Sequence, residues 1–186
     1  MRVDDLVFVT SNLGKLREAA EVLGVQLDHR ALDIEEIQSL DLEAVVRHKA
    51  AAAQERIGRP VLVEDTSLEL VGLGGFPGPL VRWLLSSVGP AGIARIAEGF
   101  GDRRAVVRCM ACARNGSVEH LGLGVVEGTI ATAPRGKRGF GWDSVFCPAD
   151  GGGRTYAEME PEEKNSRSHR RLALVDLATS LRAGSS

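Results

Sequence analysis

The sequence is poor in aromatic residues and cysteines, and it has no long hydrophobic run. Aromatic side chains make up 4% of its 186 residues, and it contains three cysteines. Neither the N-terminus, MRVDDLVFVT, nor any later segment has enough consecutive apolar residues for a signal peptide or a membrane span. An odd set of cysteines does not match a disulfide framework. We therefore expect a cytoplasmic protein without a membrane partner.

The chain also lacks an excess of charge of either sign. It has 23 lysines and arginines against 25 aspartates and glutamates, which gives a net charge of -2. Because the two signs are interspersed, there is no overall basic field for nucleic acid, so we expect no nucleic-acid partner and only a local site for any polyanion. The length and the hydrophobic content of 44% suit one sizeable core, and we expect a single domain over residues 1–186.

Cys109 and Cys112 lie in the segment CMAC, whose spacing can begin a zinc or redox site. The surrounding AVVRCMACA predicts a strand, in which these two side chains point to opposite faces. No second cysteine pair or nearby histidine cluster supplies further ligands. We therefore expect no metal at this segment.

Apolar runs alternate with helical patterns in the first third of the chain. Residues 6–10 predict a short buried strand, and apolar residues at helical spacing follow as far as Gly24. The segment LDLEAVVRHKAAAAQERIG predicts a second helix, with Asp41 as N-cap and Gly58 at its end, and PVLVEDT predicts a second strand. This alternation of strand and helix indicates an α/β core.

The remaining sequence predicts a shaped loop, an antiparallel lobe and a final helix. Glycines and prolines in GLGGFPGP, residues 72–79, exclude regular structure there, and a helical stretch follows around residues 80–88. Two strand-like runs flank Asn115 and Gly116, a dipeptide favoured in hairpin turns, so we expect an antiparallel β lobe around residues 104–133. A loop-rich stretch then leads to the final helix.

The segment VTSNLGK, between the first predicted strand and helix, has the composition of a phosphate-binding turn. Thr10, Ser11 and Asn12 offer side-chain hydrogen bonds, and Gly14 allows close backbone approach. Lys15 adds a positive charge where unpaired N–H groups of the helix converge. An ordinary capped helix with a solvated lysine fits the same residues. The segment is not a Walker loop, because the glycine pair and the Lys-Ser/Thr ending are missing.

Glu64 and Asp65 directly follow the apolar part of the second predicted strand. This position lies near the carboxyl end of a sheet, where α/β proteins usually bind ligands. Mg²⁺ is a natural partner for an acidic pair, because it prefers carboxylate oxygens and is commonly shared with substrate phosphates. A solvated acidic turn is the alternative interpretation.

Two later segments could contact a nucleotide. In GKRGFGWDSVF, Phe140 and Trp142 offer aromatic faces and Asp143 an acceptor, which favours base stacking over a small aromatic core. In EEKNSRSHRR, cations crowd the start of the final predicted helix, where the helix dipole disfavours them. That block could be a solvated face, a short nucleic-acid patch or one side of a site for an anionic or carbonyl-rich ligand. Its cations are Lys164, Arg167, His169, Arg170 and Arg171.

Together these segments resemble the inosine triphosphate pyrophosphatase family, also called Ham1-like proteins. FVTSNLGKLREAAEVLG is similar to the family's T-G-N-x-x-K opening, and VLVEDTSLELVGLGGFPGPLVRWLL to its acidic strand and glycine-proline loop. FGWDSVF and TYAEMEPEEKNSRSHR resemble its base-recognition end, so the motifs span residues 7 to about 177 in the family's order. The resemblance implies an α/β, ITPase-like (Maf/Ham1) fold, with an elongated central mixed β-sheet flanked by helices and an active-site cleft between two lobes.

The resemblance also implies a reaction, the hydrolysis of ITP, dITP and XTP to the monophosphate and pyrophosphate, which clears deaminated purines from the nucleotide pool. By position, Glu36 and Asp65 would bind Mg²⁺, with Asp65 also the base for the attacking water and Lys15 a catalytic charge. The residues implied to contact the triphosphate are Thr10, Ser11, Asn12, Lys15, Lys49, Thr66 and Arg82. The residues implied to contact the base are Phe140, Gly141, Trp142, Asp143, Lys164, His169 and Arg170.

Hydrogen bonding would explain the implied base preference. Hypoxanthine and xanthine carry a 6-oxo acceptor where adenine carries a 6-amino donor, so a pocket lined with donors would accept the first two and reject adenine. Guanine also has a 6-oxo group, so its rejection must depend on its 2-amino group.

Three positions qualify the resemblance. Ser11 stands where the family usually has glycine, so the backbone there must avoid a conformation that only glycine tolerates. Glu36 is matched through DIEEIQ, and a slip of one residue would exchange it with Glu35. Arg82 stands where some relatives have lysine, which keeps the charge but changes its geometry.

Two other functions stay open. A Maf-like nucleotide pyrophosphatase shares the general architecture and prefers other, often modified pyrimidine, nucleotides, although the FGWD and SHR motifs favour the purine enzymes. A non-catalytic nucleotide- or RNA-binding module that used the C-terminal basic block would bind oligonucleotides with steep salt dependence and show no turnover. The resemblance further implies a homodimer.

Overall fold

The computed structural model describes residues 1–183. The helices of this range are α1 (Leu13–Leu23), α2 (Leu42–Ile57), α3 (Val81–Gly99), α4 (Pro161–Arg167) and α5 (His169–Ala183). Its strands are β1 (Val7–Val9), β2 (Asp28–Arg30), β3 (Val61–Leu70), β4 (Pro77–Gly78), β5 (Arg104–Asn115), β6 (Val118–Ile130) and β7 (Phe146–Pro148). None of these helices combines the length and apolar character that a membrane crossing requires.

The strands of residues 1–183 form one mixed sheet in the order β2-β1-β3-β5-β6-β7, and β4 pairs with the outer part of β3. β1 is parallel to β2 and β3, and the other pairs are antiparallel. β5 and β6 form a long hairpin in which Asn115 pairs with Val118, at the turn that the Asn-Gly dipeptide predicts. The predicted α/β fold with a mixed sheet and flanking helices is therefore confirmed.

Local sequence explains where α2 begins and ends. The Asp41 side chain accepts hydrogen bonds from the backbone N–H groups of Glu43 and Ala44, which are the unpaired donors of the first turn. At the other end, Gly58 adopts a left-handed conformation with φ 68°, which favours glycine. Both predicted ends are confirmed.

Helices cover both faces of the sheet. Because successive strand residues point to opposite faces, Val61 and Val63 pack with α2, whereas Leu62 packs with α1 and α5. The same alternation in β5 places Cys109 on the α5 side and Cys112 on the α2 side, as the strand pattern predicts. A third cluster joins α3 to the outer parts of β3 and β5 and to the aromatic residues that follow β6.

Two glycines of β6 determine how closely α5 approaches the sheet. A Cβ atom on Gly124 would lie 1.9 Å from the carbonyl oxygen of His169, and one on Gly122 would lie 2.2 Å from that of Ala173. No side chain fits in either space, so only glycine permits this packing. The first turn of α5 is thereby held against the middle of the sheet.

Two predicted boundaries are wrong. β3 does not end at Thr66 but continues to Leu70, because β5 pairs with it along its full length. The final predicted helix is divided into α4 and α5 by Ser168, whose backbone is extended with ψ 152°. The predicted stretch of residues 80–88 is the first part of α3, which continues to Gly99 beyond a kink at Gly89.

Candidate active site

A cavity of about 790 Å³ lies at the carboxyl end of β1. Its wall comes from the β1–α1 turn, residues 31–34 and 36–38, α2, β3, the start of α3 and the loop before β7. It brings together these predicted site residues: Thr10, Ser11, Asn12, Lys15, Glu36, Lys49, Asp65, Thr66, Arg82, Phe140, Gly141 and Trp142. The other four are not in its wall and are buried in the protein: Asp143, Lys164, His169 and Arg170.

The turn between β1 and α1 is held by its own side chains. Asn12 is the N-cap of α1, since its Oδ1 accepts hydrogen bonds from the N–H groups of Gly14 (2.9 Å) and Lys15 (3.2 Å). Its own N–H donates to Thr10 Oγ1 at 3.1 Å. The prediction that these helix N–H groups are unpaired is therefore wrong. The charge of Lys15 and the hydroxyl groups remain for an anion.

Ser11 does not strain this turn. In residues 1–183, only glycines have a positive φ, so the backbone of Ser11 lies in a region that any residue adopts. The side chain of Ser11 is exposed and lies in the cavity wall. The serine therefore adds a hydroxyl group to the cavity wall without strain in the backbone.

Lys15 extends from the first turn of α1 toward two carboxylates of β3. Its Nζ lies 2.7 Å from Glu64 Oε1 and 4.0 Å from Asp65 Oδ1. Burial alone would lower the pKa of Lys15, but the charges of Glu64 and Asp65 raise it above its usual value. Lys15 is thus a permanent positive charge at the cavity wall.

Glu64 and Asp65 face opposite sides of β3. Although β3 continues further than predicted, both residues lie near the carboxyl end of the parallel part of the sheet, as predicted. β1 pairs with β3 only at Val61 and Leu62, so both acidic residues lie beyond the carboxyl end of β1. Asp65 lines the cavity, whereas Glu64 does not. Burial raises the pKa of Asp65, against the opposing charges of Lys15 and Lys49.

Glu36 lies on the same cavity wall as Asp65. Lys49, from α2, donates to Glu36 Oε1 at 2.6 Å, and Arg82 lies 3.7 Å from Glu36 Oε2. Glu35 is exposed and is not in the cavity wall. The geometry therefore favours Glu36 over Glu35 as the acidic residue of the site.

The donor set fits a magnesium ion that is shared with a phosphate ligand. Glu36 and Asp65 both present carboxylate oxygens to the cavity. Residues 1–183 contain no group of three or more His, Cys, Asp or Glu side chains that could hold a metal. Mg²⁺ commonly binds through one or two carboxylates and completes its shell with water and substrate phosphates. A cation here would also offset the negative charge that burial disfavours at Asp65.

The aromatic part of the cavity wall packs against the turn between β1 and α1. The N–H of Phe140 donates to Asp143 Oδ2 at 2.9 Å, which shapes the loop. A Cβ atom on Gly14 would lie 2.7 Å from Phe140 Cε1, so the absence of a side chain at Gly14 makes room for this ring. Trp142 is 8% exposed and packs against Phe146 at a centroid distance of 5.7 Å. Trp142 is therefore both core residue and cavity wall.

Six charged side chains form a continuous network beside the cavity, with alternating sign. Its members, in order of contact, are Lys15, Glu64, Arg170, Glu18, Lys164 and Asp143. Arg170 Nε donates to Glu64 Oε2 at 2.9 Å, and Lys164 bonds to Glu18 at 2.8 Å and to Asp143 at 2.7 Å. The network joins α1, β3, α4, α5 and the loop of Asp143.

The sequence predicts no role for Glu18, and it pairs Glu64 with Asp65 as a possible magnesium ligand, whereas Glu64 does not lie in the cavity wall. Glu18 lies one turn after Lys15 on α1, so helical spacing could have placed both on one face. Strand alternation could likewise have shown that Glu64 points away from Asp65, toward the helices on the other face. The partners of both carboxylates lie far away in sequence, which is why the pattern alone did not reveal them.

The C-terminal basic block is mostly internal. Lys164 is 4% exposed, and His169 and Arg170 are each 2% exposed. It is therefore neither a solvated face nor a continuous basic surface for nucleic acid. Lys164 Nζ and Arg170 Cζ lie 4.9 and 5.7 Å from the ring centroid of Phe140, so these two cations lie behind the aromatic part of the cavity wall.

His169 is buried without hydrogen bonds to its ring. Neither ring nitrogen has a partner within residues 1–183, although the ring packs 5.4 Å from Trp142 and 6.1 Å from Tyr156. Burial, with the charges of Arg170 and Lys164, holds the pKa of His169 well below its usual value. A neutral imidazole offers one donor and one acceptor, which a ligand beside Trp142 could satisfy.

The model of the Ham1 family matches residues 6–180. The chain belongs to the Ham1 family. It is 46% identical to inosine triphosphate pyrophosphatase 2 of Trypanosoma cruzi, over 92% of this chain and 89% of the relative. It is 41% identical to the dITP/XTP pyrophosphatase of Hyperthermus butylicus, over 95% and 94% of the two chains. A solved structure of a HAM1 protein from Coxiella burnetii superposes with a TM-score of 0.79 at 32% identity, covering 96% and 99% of the chains.

The buried network of this Ham1 protein predicts that one of two neighbouring arginines stabilises the fold. Arg170 bonds to Glu64 and Glu18, whereas Arg171 takes part in no ion pair in residues 1–183. Arg170→Met should lower the free energy of unfolding by about 3 kcal/mol, because it removes one partner of a buried ion pair. The matched Arg171→Met should change it by less than about 0.5 kcal/mol. Urea denaturation measures both, and equal losses in the two variants would contradict this account of the network.

Proposed function

We propose that this Ham1 protein hydrolyses ITP, dITP and XTP to the corresponding monophosphate and pyrophosphate. The observation that carries the proposal is one cavity whose wall contains lysines and carboxylates as well as Phe140 and Trp142. A nucleoside triphosphate carries the two matching groups, an anionic triphosphate and a flat base. The names of the relatives, which are at least 41% identical over more than nine-tenths of this chain, support the same reaction. Clearing such nucleotides suits the cytoplasmic location expected from the sequence.

The triphosphate would bind at the end of the cavity formed by Lys15, Lys49 and Arg82. In the free protein Lys49 and Arg82 neutralise Glu36, and Lys15 neutralises the carboxylates of β3. When the triphosphate binds, each cation would exchange its carboxylate partner for a phosphate oxygen. Every cation then keeps a negative partner, so little charge is left uncompensated on binding. Thr10, Ser11, Asn12 and Thr66 would add polar contacts from the same wall. Mg²⁺ held by Glu36 and Asp65 would neutralise charge on the phosphoryl oxygens.

Asp65 would activate the attacking water. One of its oxygens accepts the N–H of Thr66 at 2.8 Å, which fixes the carboxylate at the cavity wall. The water oxygen bonds to the α-phosphorus, Asp65 takes the proton, and the bond from the α-phosphorus to its bridging oxygen breaks. That oxygen leaves with pyrophosphate. Lys15 stabilises the charge that develops on the phosphoryl oxygens.

The base would lie against Phe140, Gly141 and Trp142. Donors lie behind this wall, since Lys164, His169 and Arg170 are packed against the two aromatic rings. A 6-oxo group that reaches these donors gains hydrogen bonds, whereas the 6-amino group of adenine would place donor against donor. Asp143 orients Lys164 through the 2.7 Å bond and could also accept a proton of the base.

We also propose that the protein is a homodimer, on the basis of its family resemblance. Sedimentation equilibrium of the full chain, whose mass is 19.9 kDa, tests this directly. The expected species has twice that mass, and a monomer at micromolar concentration would contradict the proposal.

The reaction predicts a specific pattern of products. With Mg²⁺, the protein should release pyrophosphate from ITP, dITP and XTP at least about tenfold faster than from ATP or GTP, in kcat/KM, because adenine presents a donor to the donors of the base pocket and guanine carries an additional 2-amino group. A chelator should abolish turnover. Similar values for ITP and ATP would refute the base selectivity, and orthophosphate as the first product would show that a different bond is broken.

Asp65→Asn should cut turnover of ITP by at least about a hundredfold, because the amide can neither accept the proton nor bind the metal as well. The folded fraction and the urea midpoint should change little, since the ion pair of Asp65 with Lys15 is long, at 4.0 Å. Asp33→Asn makes the same chemical change in the same cavity wall and should retain most of the activity. Wild-type turnover in Asp65→Asn would remove Asp65 from both assigned roles.

A further inference from the structure

Glu64 connects the two ends of the cavity. One oxygen, Oε1, lies 2.7 Å from Nζ of Lys15, and the other, Oε2, accepts from Nε of Arg170 at 2.9 Å. Lys15 belongs to the proposed triphosphate end, and Arg170 belongs to the proposed base end. A single carboxylate is therefore shared between cations that serve different parts of one substrate.

Glu64 can act on a substrate only through these neighbours. It is 2% exposed and does not lie in the cavity wall, whereas Lys15 does. On the other side, Arg170 Cζ lies 5.7 Å from the ring centroid of Phe140, and Phe140 lines the cavity. A continuous path of contacts thus runs from the triphosphate end, through buried Glu64, to the aromatic ring at the base end.

The carboxylate of Glu64 is held by three neighbouring groups. Its strand, β3, lies between β1 and β5 in the sheet. Cys109, on β5, donates its S–H to Glu64 Oε2 at 3.0 Å. Because the thiol and Arg170 hold the same oxygen, rotation of the carboxylate toward either cation changes its contact with the other. Two cations that share one carboxylate therefore cannot be repositioned independently.

We infer that Glu64 is a positioning residue that couples recognition of the base to placement of Lys15 on the triphosphate. When a base engages Arg170, Arg170 attracts the carboxylate of Glu64 less strongly. The carboxylate then attracts Lys15 more strongly, which changes where Lys15 lies along the phosphates. The coupling is reciprocal, because the triphosphate affects Arg170 by the same free energy in binding. Base selectivity then appears in kcat as well as in KM. This inference rests on the proposed function.

A purely structural role for Glu64 makes a different prediction. If Glu64 only neutralises two buried cations, its replacement lowers stability and lowers the activity on every nucleotide by the same factor. If it couples the two ends, its replacement lowers the activity on ITP more than that on ATP, because only ITP engages the donors at the base end. The ratio of the two kcat/KM values separates these roles.

The experiment measures kcat and KM for ITP and ATP with the full-length wild-type protein, Glu64→Gln and Glu64→Asp. Glu64→Gln keeps the shape and removes the charge that both cations share. Glu64→Asp keeps the charge but is one methylene shorter, so it cannot span both cations. Glu36→Gln is the matched control, because Glu36 lies in the cavity wall and contacts Lys49 and not Arg170.

The ITP to ATP ratio of kcat/KM should fall by about tenfold in Glu64→Gln, with at least part of the loss in kcat for ITP. In Glu36→Gln both activities should fall while the ratio stays within about twofold of wild type. A wild-type ratio in folded Glu64→Gln would overturn the inference. If Glu64→Gln does not fold, Glu64→Asp is the deciding variant, because its buried cations keep a negative partner. A reduced ITP to ATP ratio in Glu64→Asp supports the coupling, and an unchanged ratio overturns it.

The wild-type arm separates this inference from the proposed function. Absence of pyrophosphate release from ITP by the wild-type protein would refute the function itself. Selective release by wild type, with the same selectivity in the Glu64 variants, would leave the function standing and refute only the coupling.

Discussion

The carboxylate of Glu64, buried between Lys15 and Arg170, is the interaction on which the rest of the structure depends. An isolated charge in the protein interior is costly, and it is tolerated only when opposite charges and hydrogen bonds surround it. Burial alone would raise the pKa of Glu64, but Arg170, Lys15 and the thiol of Cys109 hold it well below its usual value. The packing of α1, β3 and α5 must therefore bring these groups together, which fixes the position of both ends of the cavity.

Alternation along β3 separates a buried carboxylate from one that lines the cavity. Glu64 points into the packed layer of α1 and α5, where its negative charge is balanced by fixed cations. Asp65, the next residue, points to the other side and lies in the cavity wall. Lys15 is close to both, so it links the buried network to the surface on which a nucleotide would bind. A strand is suited to this arrangement, because adjacent residues are held rigidly on opposite faces.

Local features of the structure were predictable from the sequence, and non-local ones were not. The caps at Asp41 and Gly58 and the Asn-Gly hairpin depend on neighbouring residues, and all are found as predicted. The length of β3 depends on pairing with β5, so its end was misplaced. The burial of Arg170 depends on Glu64, 106 residues away, and on the close approach that Gly124 allows to α5. The pattern of basic residues could not show whether they face solvent or partner carboxylates.

The most direct test of the account is a crystal structure of Asp65→Asn with ITP and Mg²⁺, because this variant should bind the substrate without turning it over. The account predicts phosphate oxygens in contact with Lys15 and Lys49, and the hypoxanthine ring against Phe140 and Trp142, in the one cavity. A nucleotide bound in the opposite direction, with its triphosphate against Phe140 and Trp142 and its base against Lys49, would contradict it. So would a nucleotide bound outside this cavity.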